Sequence, residues 1–105
     1  MDRLRDLLAE YRRGLERIYG DRLVEVVLFG SQARGDAKPD SDIDVMVVLR
    51  GPVDSGAEIR RCIEFQAALC LEHDVVITSV YMADDRYRSG QSPLLINVRR
   101  EGVPL

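Results

Sequence analysis

Two short apolar runs, LVEVVLF (23–29) and DIDVMVVL (42–49), constrain this chain more than any other feature. Each is β-branched and too short for an ordinary buried helix, so each reads as a strand with its apolar side chains in a core. Residues 30–41 between them must reverse the chain, and they carry Gly30-Ser31 at one end and Asp42-Ile43-Asp44 just beyond the other. A third β-branched run, DVVITSVYM (74–82), reads as another strand.

Helices account for most of the remainder. Leu4, Leu7, Leu8, Tyr11, Leu15 and Ile18 recur at three- and four-residue spacing over 3–19, an amphipathic helix that Gly20 ends. Ile59, Cys62, Ile63, Gln66 and Leu69 form one face of a second helix over 55–72. Near the end, Ser92 suits a helix N-cap and Pro93 the first helical position. Arg99 and Arg100 complement the C-terminal dipole, and Gly102 suits a left-handed cap. Val103-Pro104-Leu105 reads as an edge strand, where proline is tolerated, and Asp84 to Ser89 as a solvated connection. The order α-β-β-α-β-α predicts a single α/β (α+β) domain over 1–105, a small mixed sheet with helices packed on it.

Composition narrows the function. With 15 basic against 18 acidic residues and a net charge of −3, strong nucleic-acid binding is not expected. No apolar run is long enough to span a membrane or to form a signal-peptide core after MDRLR. Two cysteines, Cys62 and Cys70, do not make a disulfide scaffold, which suits buried thiols and a cytoplasmic protein.

The aspartates carry the chemistry. Asp42 and Asp44 are two apart on a strand, so both leave one face while Ile43 enters the core, with Cα atoms roughly 6–7 Å apart. Neighbouring carboxylates oppose each other's ionisation unless a cation lies between them. Magnesium answers this, being held by one or two carboxylates together with phosphate oxygens. Gly30 permits close backbone approach, and Ser31 is placed to cap a turn through Gln32, Ala33 and Arg34 whose free amides favour an anion. Arg34 and Lys38 are then available to outer phosphate charge. If the first two strands are antiparallel and the third parallel to the second, Asp74, as the first residue of the third strand, falls beside Asp42 and Asp44.

Other readings fit less well. GSQARGDA has the glycine spacing of a P-loop, but Asp36 and Ala37 stand where its lysine and hydroxyl residue belong. A calcium loop counted from Asp40 puts Val45 at position six and Gly51 at position twelve, in place of glycine and glutamate. His73, Cys62 and Cys70 lack zinc-site spacing. An isolated Asp-x-Asp is ordinarily a solvated strand start, and Asp40-Ser41 suit a turn.

The stretch GSQARGDAKPDSDIDVMVV resembles the G-S-x-x-R-G … S-D-x-D-hydrophobic signature of the minimal nucleotidyltransferases in the DNA polymerase β-like superfamily. The short chain, a third aspartate on a later strand and the ending SPLLINVRREGVPL resemble that branch as well. The resemblance implies that Gly30, Ser31, Arg34 and Ser41 bind nucleotide, and that Asp42, Asp44 and Asp74 hold metal, with two Mg2+ ions. It implies transfer of AMP from ATP to a hydroxyl, with Asp74 helping to deprotonate the acceptor. It further implies an antitoxin whose partner is a HEPN-domain toxin and whose acceptor is a tyrosine of that toxin. An interaction module that neutralises its partner by binding alone is the alternative. A homodimer is compatible with the small sheet.

Overall fold

The computed structural model describes residues 3–38 and 41–105. Its elements in order are α1 (Arg3–Tyr19), β1 (Leu23–Phe29), α2 (Ser31–Arg34), β2 (Ile43–Leu49), α3 (Ser55–His73), β3 (Ile77–Ala83), α4 (Asp84–Ser89), α5 (Pro93–Glu101) and β4 (Val103–Pro104). The sheet order is β3-β2-β1-β4; β1 is antiparallel to β2 and β4, and β2 is parallel to β3. The mixed α/β architecture is the expected one.

Strand alternation divides the core in two. Val45, Val47 and Leu49 face α1 and α3, where they meet Leu7, Tyr11, Leu15, Cys62 and Leu69. Met46 and Val48 point to the other face, against Leu95 and Val98 of α5 and Val27 of β1. A strand covered on both sides loses the usual polar alternation, which is why β2 reads as continuously apolar.

Helix α5 has the expected start: the Ser92 hydroxyl accepts from the Leu95 amide, and Pro93 follows. Its end differs. Gly102 is extended (φ −67°, ψ 151°), not left-handed. Glycine is needed there because a Cβ would meet the Val98 carbonyl and the Val27 side chain as the chain passes into β4. Arg99 donates to the carbonyls of Tyr87 and Gly90, both at 2.7 Å, tying α5 to the preceding corner rather than to its own C-terminus. Residues 84–89, expected as a solvated connection, form α4; Asp84 and Asp85 in its first turn suit the helix dipole.

Helix α3 buries a different face from the one expected. Cys62 and Leu69 are buried, but Ile59 and Ile63 remain 48% and 55% exposed. Glu58 takes the inner position instead, accepting from the Tyr19 hydroxyl at 2.8 Å and from Arg22 and Arg61 at 3.0 and 3.1 Å. Burial alone would raise its pKa; these three donors hold it below the ordinary carboxylate value. Phe65 sets the rotation of the helix. It stacks on Tyr11, with centroids 6.0 Å apart, and fills the space a Cβ on Gly14 would take. Gly14→Ala should therefore lower stability by about 1–2 kcal/mol, despite a helix-propensity gain near 1 kcal/mol, because overpacking outweighs it. A thermal melt beside Phe65→Leu, Gly14→Ala, which relieves the overlap, checks this.

Candidate active site

The end of β1 and the start of β2 are neighbours, because Phe29 pairs with Asp44 in the antiparallel register. Asp44 shares the face of Met46 and Val48 and so projects on the α5 side of the sheet. Gly30 then turns sharply, with φ 74° and ψ −155°, a backbone region open essentially to glycine alone. A Cβ on Gly30 would lie 2.5 Å from the Asp44 carboxylate oxygen Oδ2. The glycine of the loop and the second aspartate are thus packed against each other. That juxtaposition is the centre of the site.

Beyond Gly30, residues 31–34 make one helical turn. Arg34 N–H donates to Gly30 O at 3.1 Å, and the Gly35 and Asp36 amides both donate to Ser31 O, at 3.0 and 3.1 Å. Gly35 closes the turn in the left-handed region at φ 80°. Gly30 occupies the N-cap, and no side chain caps the turn. Ser31 is therefore the first helical residue, not the expected cap. Its hydroxyl caps no amide of the turn, and the amides of residues 31–33 have no intrahelical acceptor.

Electrostatics mark Asp44. Burial raises its pKa, the neighbouring Asp42 charge raises it further, and Arg34 opposes both. Arg34 is thus close enough to act on the carboxylate, while its Nε sits 3.3 Å from Asp36 Oδ2 at the surface. Two acids whose charges oppose each other, with hard oxygen donors and a nearby anion-favouring turn, form a donor set suited to a hard divalent cation.

Ser41 and Asp74 lie elsewhere. The Ser41 hydroxyl accepts from the Lys38 amide at 2.8 Å, and its own amide donates to Lys38 O at 3.0 Å, closing the loop before β2. Asp74, expected to open the third strand, instead ends α3 in the left-handed region (φ 54°, ψ 53°), and β3 begins at Ile77. In the parallel register Asp44 pairs with Thr78, so the residue beside it on β3 is a threonine. Asp74 and Ser41 line a hollow with His73, Ile43, Gln32 and Arg3, on the α1 side of the same sheet end. The register puts Asp74 at the right end of the sheet but three residues short of the strand.

Sequence reasoning missed two residues of α5. Asn97 and Glu101 line a cleft together with Gly30 and Arg34. Their signal was the polar spacing 97, 101 on the face that carries Leu94, hidden because the helix was read only for its apolar face.

Residues 8–88 match the nucleotidyltransferase domain family, and the chain belongs to it. Within that family it is a minimal nucleotidyltransferase. A Methanocaldococcus jannaschii protein provisionally named a protein adenylyltransferase is 34% identical over 80 residues, covering 76% of this chain and 74% of that protein. A crystal structure of a toxin–antitoxin with AMP-PNP superposes with a TM-score of 0.63 at 26% identity, over 90% of this chain and 70% of that one. A structure provisionally described as a minimal nucleotidyltransferase matches at 29% identity and TM-score 0.59, over 100% of this chain and 97% of that one. Among the described residues no helix is long and apolar enough to cross a membrane.

Proposed function

We propose that this nucleotidyltransferase is a Mg2+-dependent protein adenylyltransferase that moves AMP from ATP to a hydroxyl, a tyrosine of a HEPN toxin, and so acts as its antitoxin. The observation that carries this reading is the contact between Gly30 and Asp44, which sets a phosphate-accepting turn against a carboxylate pair whose charges need a cation. The likeness to a toxin–antitoxin with AMP-PNP supports both the nucleotide and the partner.

Asp42 and Asp44 would hold the metal, with two ions expected, and Arg34 and the Ser31 turn would receive the β- and γ-phosphates. Bound metal neutralises charge on the attacking and leaving oxygens of the transferred phosphoryl group. The acceptor oxygen bonds to the α-phosphorus, the bond to the bridging oxygen breaks, and pyrophosphate leaves. The acceptor proton passes to a carboxylate, for which Asp74 is the proposed base. Ser41 contributes by shaping the loop that presents Asp42 to the nucleotide.

The backbone at Asp74 supports a functional role. An acid at a helix C-terminus opposes the dipole, and the left-handed region suits glycine or asparagine better. Asp74→Gly should raise stability by about 0.5–1 kcal/mol while lowering transfer. Thermal melts and label transfer on the same preparation check both; full activity in the Asp74→Gly variant removes Asp74 from the mechanism.

The reading is tested with the purified chain, Mg2+ and a co-expressed HEPN partner, given ATP labelled at the α- or the γ-phosphate. Label on the partner from α-labelled ATP alone is expected. Label from the γ-position would make the enzyme a kinase and overturn the reading. A second reading, neutralisation by docking alone, is favoured by the exposed Ile59 and Ile63 on α3. It predicts a stable complex with no label in either arm.

A further inference from the structure

We propose that the outer edge of β3, with the apolar stripe of α3 above it, is the surface on which a second copy of this chain pairs. The surface uses none of the residues at the Gly30–Asp44 contact, so it stands independently of the adenylyl-transfer reading.

The two edges of the sheet are built differently. At one edge, β4 is two residues long and one of them is Pro104, which has no N–H to offer a further strand. At the other, β3 is seven residues, ITSVYMA, without charge or proline. Its register with β2 runs from Ile77 to Ala83 without a bulge, and among the described residues no strand pairs with its outer side. Charges, prolines, bulges and short length are the ordinary means of keeping an edge from pairing. β3 has none of them.

The outward backbone groups follow from the ladder. Ile43 N–H donates to Val76 O, and Ile43 pairs with Ile77, so the even-numbered residues of β3 bond to β2. Residues 77, 79, 81 and 83 therefore turn their N–H and C=O groups outward. The Gln66 amide covers the Ile77 carbonyl at 2.9 Å. Ser79, Tyr81 and Ala83 remain as a row without a strand partner. A two-fold axis at Tyr81 pairs Tyr81 with its own copy and Ser79 with Ala83, so an antiparallel second copy satisfies all three.

The side chains agree with that axis. Ile59 and Ile63 are exposed, and they line a hollow of about 310 Å³ with Ala67 and Tyr81. Positions 59, 63 and 67 form a four-residue ridge of α3, the kind that packs on the same ridge of another helix. The axis at Tyr81 brings the two stripes together. Charge also favours a second copy. Arg60 and Glu64, one of each sign, flank the stripe, and among the described residues neither is in an ion pair. Antiparallel copies lay the positive part of one stripe toward the negative part of the other.

Size sets the strength. Seven strand residues span roughly 24 Å, and strand plus helix are roughly 20 Å deep, so roughly 500 Å² of each copy is covered. The pair then covers roughly 1,000 Å², the lower limit for a specific interface, which implies a Kd on the order of 1–100 μM.

The test is sedimentation velocity of the whole chain across that concentration range, for the native protein, Ile63→Arg, Ala83→Pro and Val103→Arg. Ile63 is exposed, so arginine there leaves the core intact. Ala83 already has φ −66°, which proline adopts, so Ala83→Pro removes an outward donor without bending the chain. The native chain should pass from monomer to dimer, and each of these two variants should weaken the dimer at least ~10-fold with melts like the native one. Val103→Arg, on the opposite edge, should dimerise as the native chain does. A native chain that stays monomeric overturns the proposal, and so does a dimer that Ile63→Arg and Ala83→Pro leave unchanged. A dimer lost only in Val103→Arg moves the interface to β4 and overturns it as well. A monomeric chain whose complex with a toxin partner is weakened by Ile63→Arg gives the stripe to that partner, and the proposal falls.

Discussion

Asp42→Asn, Asp44→Asn is expected to reduce transfer of α-labelled AMP by at least ~1000-fold while the protein stays folded. The carboxylates are the proposed metal ligands, and losing metal stabilisation of the transferred phosphoryl group removes several kcal/mol from the transition state. At about 1.4 kcal/mol per tenfold, that is three orders of magnitude or more. The fold should survive because neither side chain is buried in the core: Asp42 is exposed and Asp44 partly so.

Stability should in fact rise at neutral pH. Burial and the Asp42 charge raise the folded-state pKa of Asp44 above its unfolded value. A carboxyl group shifted upward binds protons more tightly when folded, so its ionised form destabilises the metal-free chain above the unfolded pKa. That cost is relieved as pH falls through the raised pKa, and asparagine at position 44 removes it. Melts in chelator across the acidic range, native beside Asp44→Asn, should show the difference shrink toward low pH. A folded double mutant that transfers label normally would remove the metal site from these residues.

Gly30→Ala is expected to cost about 100-fold in transfer with little change in the rest of the sheet. Alanine at φ 74°, ψ −155° strains the backbone by about 1–3 kcal/mol. Its Cβ also falls 2.5 Å from Asp44 Oδ2, so either the turn or the carboxylate must move. A displacement near 1 Å at reacting groups is enough for a loss of about 10²-fold. Gly35→Ala is the control. It shares the positive φ, at 80°, but its Cβ would meet nothing within 4 Å. It should lower stability comparably and leave the carboxylate in place, so transfer falls far less. Equal activity losses in the two variants would mean that backbone strain alone matters, and that the Gly30–Asp44 contact does not position the site.

Much of the site was legible in the linear sequence because its parts are close along the chain. Gly30, Ser31, Asp42 and Asp44 fall within one loop and the strand ends beside it, where turn chemistry and two-residue alternation act over a few bonds. Asp74 was misplaced for a related reason. The run DVVITSVYM is β-branched throughout most of its length, yet α3 continues to His73 and Asp74 takes a left-handed cap, so the first part of the run is spent leaving the helix. Gln66 anchors that exit: its amide donates to Ile77 O at 2.9 Å, and it accepts from Ser79 at 2.8 Å, fixing where β3 begins.

Helix α3 shows the other kind of miss. Its spacing named Ile59 and Ile63 as core residues, but β3 is the edge of the sheet, and the outer side of α3 overhangs that edge. Periodicity identifies an apolar stripe without saying how far the partner surface extends beneath it.

By itself the sequence determined the elements, the antiparallel hairpin with its glycine turn, and the aspartate pair, all set by preferences that act within about one helical turn or one loop. Tertiary structure alone decided which carboxylate meets Gly30, that Thr78 rather than Asp74 stands beside Asp44, and that Asn97 and Glu101 of α5 face the Gly30 turn. Strand register and helix rotation are settled by packing between residues far apart in the chain, and no local propensity encodes those contacts.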